Sequence, residues 1–535
     1  CFENVKVAVS AQAEAMAVRA RLLSGSVVEA DLTGALSAAE AIAGIAATLR
    51  VAPERLMLVN LAGGLLAEAA VWDNAVDEGS DVQVIIGQDP GEAELLAAVK
   101  PGAGSLRELK EETNLRLTCT LLQSLPNDIG QLAALQELDL SFNMICALPD
   151  SFCQLSCLRT LKLLYNQLKA LPEHFGNLVS LQELSLDLNQ LSALPASFCE
   201  LRALRHCRLY CNRLMALPDG FGAGLVALEE LNISSNPLVV LPDDFGQLAS
   251  LHTLRLRNTA IGHLPGSFGC LAQLQEMHTD RNQLKALPDT FGDLGSLRQL
   301  NLSANKFTAL PDSFGRLGAL QVLEIVPKCP GGHSLRRRAV DLTSLCDLCS
   351  TPCKVGSIMW CCRRCCFDAC CACFQATQLT ALPSNIGCLR NLQVVRIVNH
   401  HLACLPQSFA NLLALEEVDL SSNQLAILPV RFGQLAALQQ LLLPHNVLKA
   451  LPESFGQLGA LTSLDLSGNR LTVLPSACCQ LSSLQHLKLS SNRLKSIPPS
   501  CGKLPALRKL EVDGHLISRL PKGLGRLVVQ PGSSM

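Results

Sequence analysis

From Leu135 onward a pattern of 23 residues returns again and again, and that period limits what the chain can fold into more than its length does. Leu135, Leu138, Leu140, Asn143, Ile145, Leu148-Pro149, Phe152 and Leu155 set the first clear copy, and each landmark is met again 23 residues later from Leu158. Aligned on the Leu-Pro pair, units begin near 112 and then at Leu135, Leu158, Leu181, Leu204, Leu228, Leu251, Leu274, Leu297, Leu320, Leu392, Leu415, Leu438, Leu461, Leu484 and Leu507. A repeat array is one elongated body, so this fixed short period overrides the domain count that a length of 535 residues would suggest.

The physics of one unit is simple. Its alternating Leu-x-Leu predicts a short strand with the Leu side chains inward, and stacked copies give one parallel sheet along the inner curve. Asn stands where the chain leaves the strand, and its amide can donate to and accept from backbone groups that the turn leaves unpaired. Asn143, Asn166, Asn189, Asn212, Asn236, Asn282, Asn305, Asn423, Asn446, Asn469 and Asn492 form that ladder. Thr259, His400 and His515 interrupt it, and local looseness is expected there. On the outer side Leu-Pro opens a tight turn or short helix. The Phe four residues past the Leu fills the space between turns, and eleven of the sixteen Phe occupy that column, which makes them core.

The form LxxLxLxxNxLxxLPxxFGxLxx resembles the leucine-rich repeat family, and within it the intracellular 23-residue class that includes Ras-pathway scaffolds and the plant Ras-group-related proteins. The resemblance implies an α/β fold, a right-handed horseshoe solenoid with its parallel sheet on the concave face. It also implies binding of small GTPases or signalling phosphatases.

Before the array, Met16–Gly25 and Ser26–Thr33 read as a hairpin, Leu36–Val51 as a helix, and Arg55–Val59 and Asp81–Ile86 as strands around an irregular crossover at Trp72. That order resembles the ubiquitin-like β-grasp fold over 16–87. Gly-Gln-Asp-Pro follows Ile86 in place of a terminal Gly-Gly, and Met16 to Gly87 holds no Lys, so the resemblance implies a fixed interaction module rather than a conjugated one. Residues 88–111 are read as linker and N-terminal cap helices, Glu92–Val99 and Ser105–Glu112, with Ser105 and Glu108 as a capping box. The repeats are placed at 112–325 and 378–529, with a short tail at 530–535.

Between the two runs lies an insertion at 326–377, holding Arg336-Arg337-Arg338 and eleven of the 25 cysteines. Cys346, Cys349, Cys362 and Cys365 form two CxxC pairs, the spacing of a tetrahedral zinc site. The excess thiols blur that ligand set, and no metal or cofactor is assigned. Clustered Cys beside Arg suits S-acylation and membrane tethering. A disordered loop or a mistranslated intron is the reading its position favours. The remaining cysteines mostly stand where other repeats carry Leu, Phe, Gly or Ala: Cys207 for a strand Leu, Cys478 and Cys501 for the Phe. They are read as buried thiols of a reducing, cytoplasmic compartment.

Function must then come from the face the strands present. The only two tyrosines, Tyr165 and Tyr210, fall in outward columns with Phe142, beside Arg159, Lys162, Arg205, Arg208, Arg255 and Arg257. Aromatic and Arg residues are favoured at binding hot spots, which points to an acidic or phosphorylated protein partner. The competing reading is a charged face that merely keeps the sheet soluble. Lys plus Arg (44) nearly balance Asp plus Glu (46), so no nucleic-acid partner is suggested. No apolar run spans a bilayer, and no phosphate loop, Ser/His/Asp or Cys/His arrangement or HExxH motif occurs. A non-catalytic scaffold in signal transduction is therefore expected. The alternatives are a regulatory arm of a larger enzyme, since Cys1 is not an initiating Met, and a ubiquitin-pathway adaptor. An extracellular receptor is least favoured, because neither a signal nor paired Cys caps are seen and the sequons at Asn232 and Asn301 lie on strands.

Overall fold

The computed structural model describes residues 110–125, 127–326 and 379–524, and outside those ranges only the backbone of the short strands given below. The chain divides into two compact units, Cys1–Arg213 with Arg363–Cys366, and Leu214–Cys362 with Phe367–Met535.

The first unit opens with an antiparallel sheet in the order Val27–Asp31, Ala15–Arg21, Asn4–Gln12, Asp81–Ile86, Leu56–Asn60. Asn4–Gln12 was not expected, although Val5, Val7 and Val9 alternate as a strand requires. The helix over Leu36–Val51, the crossover at Trp72 and, apart from a turn at 110–111, the cap helices lie outside the described residues.

The repeats of this unit follow as Asn114–Arg116, Glu137–Asp139, Thr160–Lys162, Glu183–Ser185 and His206–Arg208, each paired in parallel with the next. In every strand the middle residue is buried while its neighbours are more open, the alternation that the Leu-x-Leu spacing dictates. The outer side of each unit is a single 3-10 turn such as Asp150–Gln154 or Ala196–Glu200. The Pro before it holds φ near −70° and lies just outside the turn, where its missing N–H costs nothing.

In the second unit twelve parallel strands run from Glu230–Asn232 to Val528–Pro531, so the last of them reaches into the stretch expected as a tail. Its Phe rings stack face to face: Phe221, Phe245, Phe268, Phe291 and Phe314 follow one another at 6.1–6.4 Å with planes within 4°. All eleven column Phe are fully buried. Burying such a ring stabilises by about 1.5–3 kcal/mol before packing is counted, so this column carries much of each repeat's stability. The Gly after the Phe lets successive turns close up. A Cβ on Gly433 would stand 1.7 Å from the carbonyl oxygen of Ser454.

The insertion does not interrupt the sheet. Val322–Ile325 pairs directly with Val394–Ile397, an offset of 72 residues in place of the usual 23. Arg396 crosses this joint to Glu324 at 2.6 Å, and Asn385 and Asn391 donate to the carbonyls of Asp312 and Gly318, each at 2.8 Å. Within the insertion Ile358–Cys361 pairs antiparallel with Arg336–Ala339 and with Asp368–Cys370, and Ser344–Leu345 pairs with Pro352–Cys353. The proposed zinc ligands Cys346, Cys349, Cys362 and Cys365 lie outside the described residues.

Two expectations are corrected. Cys501 is joined to Cys479 in a disulfide, with Cα atoms 4.5 Å apart. Cys479 holds the position of the close-approach Gly, and that position faces the Phe column of the next repeat, where Cys501 stands. Nor are the other repeat cysteines uniformly buried: Cys146, Cys157, Cys270, Cys388 and Cys404 are exposed.

Candidate functional site

Each ladder Asn works mainly for the repeat before its own. Asn189 Oδ1 accepts the Leu168 N–H at 3.0 Å, while its Nδ2 donates to the Leu163 carbonyl at 2.9 Å and to that of Leu186 at 3.1 Å. The same set recurs at Asn166, Asn212, Asn423, Asn446, Asn469 and Asn492, and at Asn305. Asn143 accepts from Thr120, Asn236 accepts from the Leu214 N–H, and Asn282 accepts from Thr259. These residues are occupied in holding turns together.

The expected looseness at the interruptions is not found. Thr259 is buried and bonds to Asn282 through both its N–H and its hydroxyl. His400 reproduces the Asn pattern with its ring: Nδ1 accepts the Leu379 N–H at 3.2 Å, and Nε2 faces the Ile325 carbonyl at 3.2 Å. Imidazole succeeds because its neutral form has one donor and one acceptor on opposite sides. Burial pushes its pKa down to about 4, which keeps the acceptor nitrogen free of a proton. His515 likewise faces the Leu494 carbonyl at 3.1 Å. His400 thus clasps the two chain ends that flank the insertion.

The residue before each Asn has a left-handed backbone, including Phe142 at φ +59° and Tyr165 at φ +56°. This twist ends the strand and aims that side chain along the strand-bearing face. In the first unit it brings the Phe142 and Tyr165 rings to 5.9 Å between centroids. Tyr210, one column earlier in its repeat, is 40% exposed, and Met144 beside Phe142 is equally open. Arg159, Lys162, Arg205 and Arg208 are exposed on the same unit.

An acid that sequence reasoning passed over sits among them. Asp187 accepts the Tyr210 N–H at 2.7 Å, and its own carbonyl accepts the Tyr165 N–H at 2.9 Å. Burial raises its pKa to about 6, against the pull of the Tyr210 amide and of Arg208.

Arg255 and Arg257 belong to the second unit and are differently placed. Arg257 donates to Asp280 at 2.8 Å, and Arg255 lies 3.9 Å from Glu276. Arg396, which the sequence reading did not single out, is held by Glu324 on one side and Glu417 on the other. The periodic sequence contained the signal: Arg257 and Asp280 occupy one column of consecutive repeats. His278, between these arginines, has its pKa lowered by burial and by their charge. The buried thiols of Cys119 and Cys478 are pushed up to about 12 by burial, so neither offers a thiolate nucleophile at neutral pH. Among the described residues no helix is long and apolar enough to cross a membrane.

The family model described as leucine rich repeat matches residues 113–168, 390–448 and 451–517, and one described as a leucine-rich repeat region matches 224–351. No curated protein matches the sequence. Among solved structures, a leucine-rich repeat protein of Leptospira interrogans is similar at 28% identity and TM-score 0.56, over 77% of this chain and 99% of that one. A chain of the Toll–Spätzle complex of Drosophila is similar at 21% identity and TM-score 0.58, over 76% and 51%. The functional domain of InlJ from Listeria monocytogenes, which includes a cysteine ladder, is similar at 17% identity and TM-score 0.54, over 83% and 77%. The last two likenesses concern the fold alone.

Proposed function

The chain is a leucine-rich repeat protein, a fold that commonly mediates protein-protein interaction, and from that premise we propose that it is a non-catalytic scaffold. Its first unit captures an acidic or phosphorylated protein segment on the face that carries its strands. The observation behind this reading is the exposed Tyr210 on the unit that also holds the Phe142–Tyr165 pair, with Arg159 and Lys162 in no ion pair among the described residues. A bulky residue in the left-handed region costs about 1 kcal/mol that Gly would not. Aromatic rings at Phe142 and Tyr165 therefore serve something other than the local backbone. Rigid aromatic surface next to uncompensated cations is what an acidic partner rewards, since rings supply area at low entropic cost and guanidinium groups pair with carboxylate or phosphate.

By resemblance to the intracellular class, small GTPase or phosphatase regulation in the cytoplasm is the setting we propose, with residues 16–87 as a separate interaction module. The test is partner capture by the full chain and by two double variants, Tyr165→Ala/Tyr210→Ala and Arg159→Glu/Arg208→Glu. Each is expected to lose at least tenfold in affinity, while Arg257→Glu in the second unit leaves capture unchanged. Undiminished capture by both double variants would sink the assignment.

A further inference from the structure

Near the C-terminal end of the second unit, successive repeats form a shallow, open polar cleft of about 430 Å³ that includes His445, Gly468, Arg470, Ser491 and Arg493. Its form follows from the repeat. His445, Gly468 and Ser491 stand in the left-handed column before the ladder Asn, with φ +57°, +68° and +58°. Gly468 clears the middle of the cleft, because a Cβ there would lie 2.6 Å from His445 Nδ1. Arg470 and Arg493 stand one residue beyond the Asn, their N–H groups fixed to the Leu448 and Leu471 carbonyls at 2.9 Å. One repeat apart, their backbones are spaced by roughly the 4.8 Å of adjacent strands. Both arginines are exposed, and neither makes an ion pair among the described residues.

The charge around the cleft is mostly basic. Two residues past the arginine column stand Lys449 and Lys495, and none of the four residues that follow Asn446, Asn469 or Asn492 is an acid. One acid meets this lining: Asp513 accepts the Ser491 N–H at 2.6 Å and the Asn492 N–H at 3.3 Å. Asp465, on the adjoining face, is paired with Lys488 at 3.5 Å. Two exposed arginines one repeat apart, with the Ser491 hydroxyl at the same opening, offer charge-assisted donors to a tetrahedral oxyanion, which accepts several such bonds at once.

We propose that this cleft is a phosphate-binding site, with Arg470 and Arg493 as its principal donors. It is separate from the aromatic surface of the first unit and stands or falls independently of it. Isothermal titration of the full chain with inorganic phosphate at constant ionic strength is expected to show saturable binding. Arg470→Gln/Arg493→Gln should weaken that binding at least tenfold, whereas Lys285→Gln/Arg298→Gln, which removes two charges elsewhere in the unit, leaves it intact. Absence of saturable binding, equal weakening in both double variants, or equal competition by chloride would overturn the site. A phosphoserine peptide and its unphosphorylated twin identify the source. Tighter binding of the phosphopeptide than of phosphate assigns the group to a polypeptide, and equal binding assigns it to free phosphate.

Discussion

The two units present faces built from the same strand, yet the arginines on those strands are used in opposite ways, the unpaired Arg470 and Arg493 of the second unit standing beyond the ladder Asn. In the first, Arg159 and Lys162 are exposed and are in no ion pair among the described residues. In the second, Arg257, Arg255 and Arg396 are answered by Asp280, Glu276, Glu324 and Glu417 of adjacent repeats. Cross-strand ion pairs of this kind contribute little each, but they consume the charge that a partner would otherwise meet. A basic column is therefore a binding surface only when the column beside it withholds the acid.

The contrast presupposes that the frame beneath is the same in both units, and the largest expected effect checks that. Phe175→Ala in the first unit and Phe291→Ala in the second should each cost about 3–5 kcal/mol by chemical denaturation, since both rings are fully buried between neighbouring turns. A difference of more than about 2 kcal/mol would mean that the two frames are not equivalent and would break the comparison.

Acid should then separate the units. His400 has a folded pKa below its ordinary value of 6.5, so its stabilising contribution is complete above pH 6.5 and is lost as pH falls to about 4. Asp187 has a folded pKa above its ordinary 3.8, so it favours the folded state most below pH 3.8, and that contribution is lost as pH rises through about 6. Hydrogen exchange resolved by repeat, followed from pH 7 to pH 4, should show the joint at Ile325 and Leu379 loosening while the repeat around Asp187 tightens, each by on the order of 1–2 kcal/mol. Movement in the same direction at both places would refute this account of the two groups.

The smallest effect sharpens the comparison most. Arg257→Gln should cost about 0.2–1 kcal/mol, because it removes the ion pair with Asp280, whereas Arg159→Gln should leave stability unchanged within the error of thermal melts. A measurable loss at Arg159 would show that its charge is also used within the fold.

What the sequence made legible is what a single column can express. The buried Leu, the Phe stack and the Asn ladder each follow from one residue recurring at one position, and the strands and turns follow from them. What it hid depends on reading neighbouring repeats together. The Arg257–Asp280 pair needs two repeats read side by side, and the Cys479–Cys501 bond needs the knowledge that the Gly position of one turn faces the Phe position of the next. His400 was misjudged by residue name, since its ring supplies the same donor and acceptor as an Asn amide. Asp187 was passed over because an acid in a basic strip draws attention only once its burial is known. The cleft at Gly468 left no mark at all, because its signal is a missing side chain.

The direct pairing of Val322–Ile325 with Val394–Ile397 has a consequence for how such a gene can change. The sheet registers strands, not residues, so the intervening sequence is invisible to it. Closing a loop grows costlier only with the logarithm of its length, about 0.6 kcal/mol per doubling, and so the joint accepts additions and losses at little thermodynamic expense. An exon gained or dropped there would pass the test of folding unnoticed, and this makes the joint a place where a stack of identical parts can acquire a feature that none of its repeats contains.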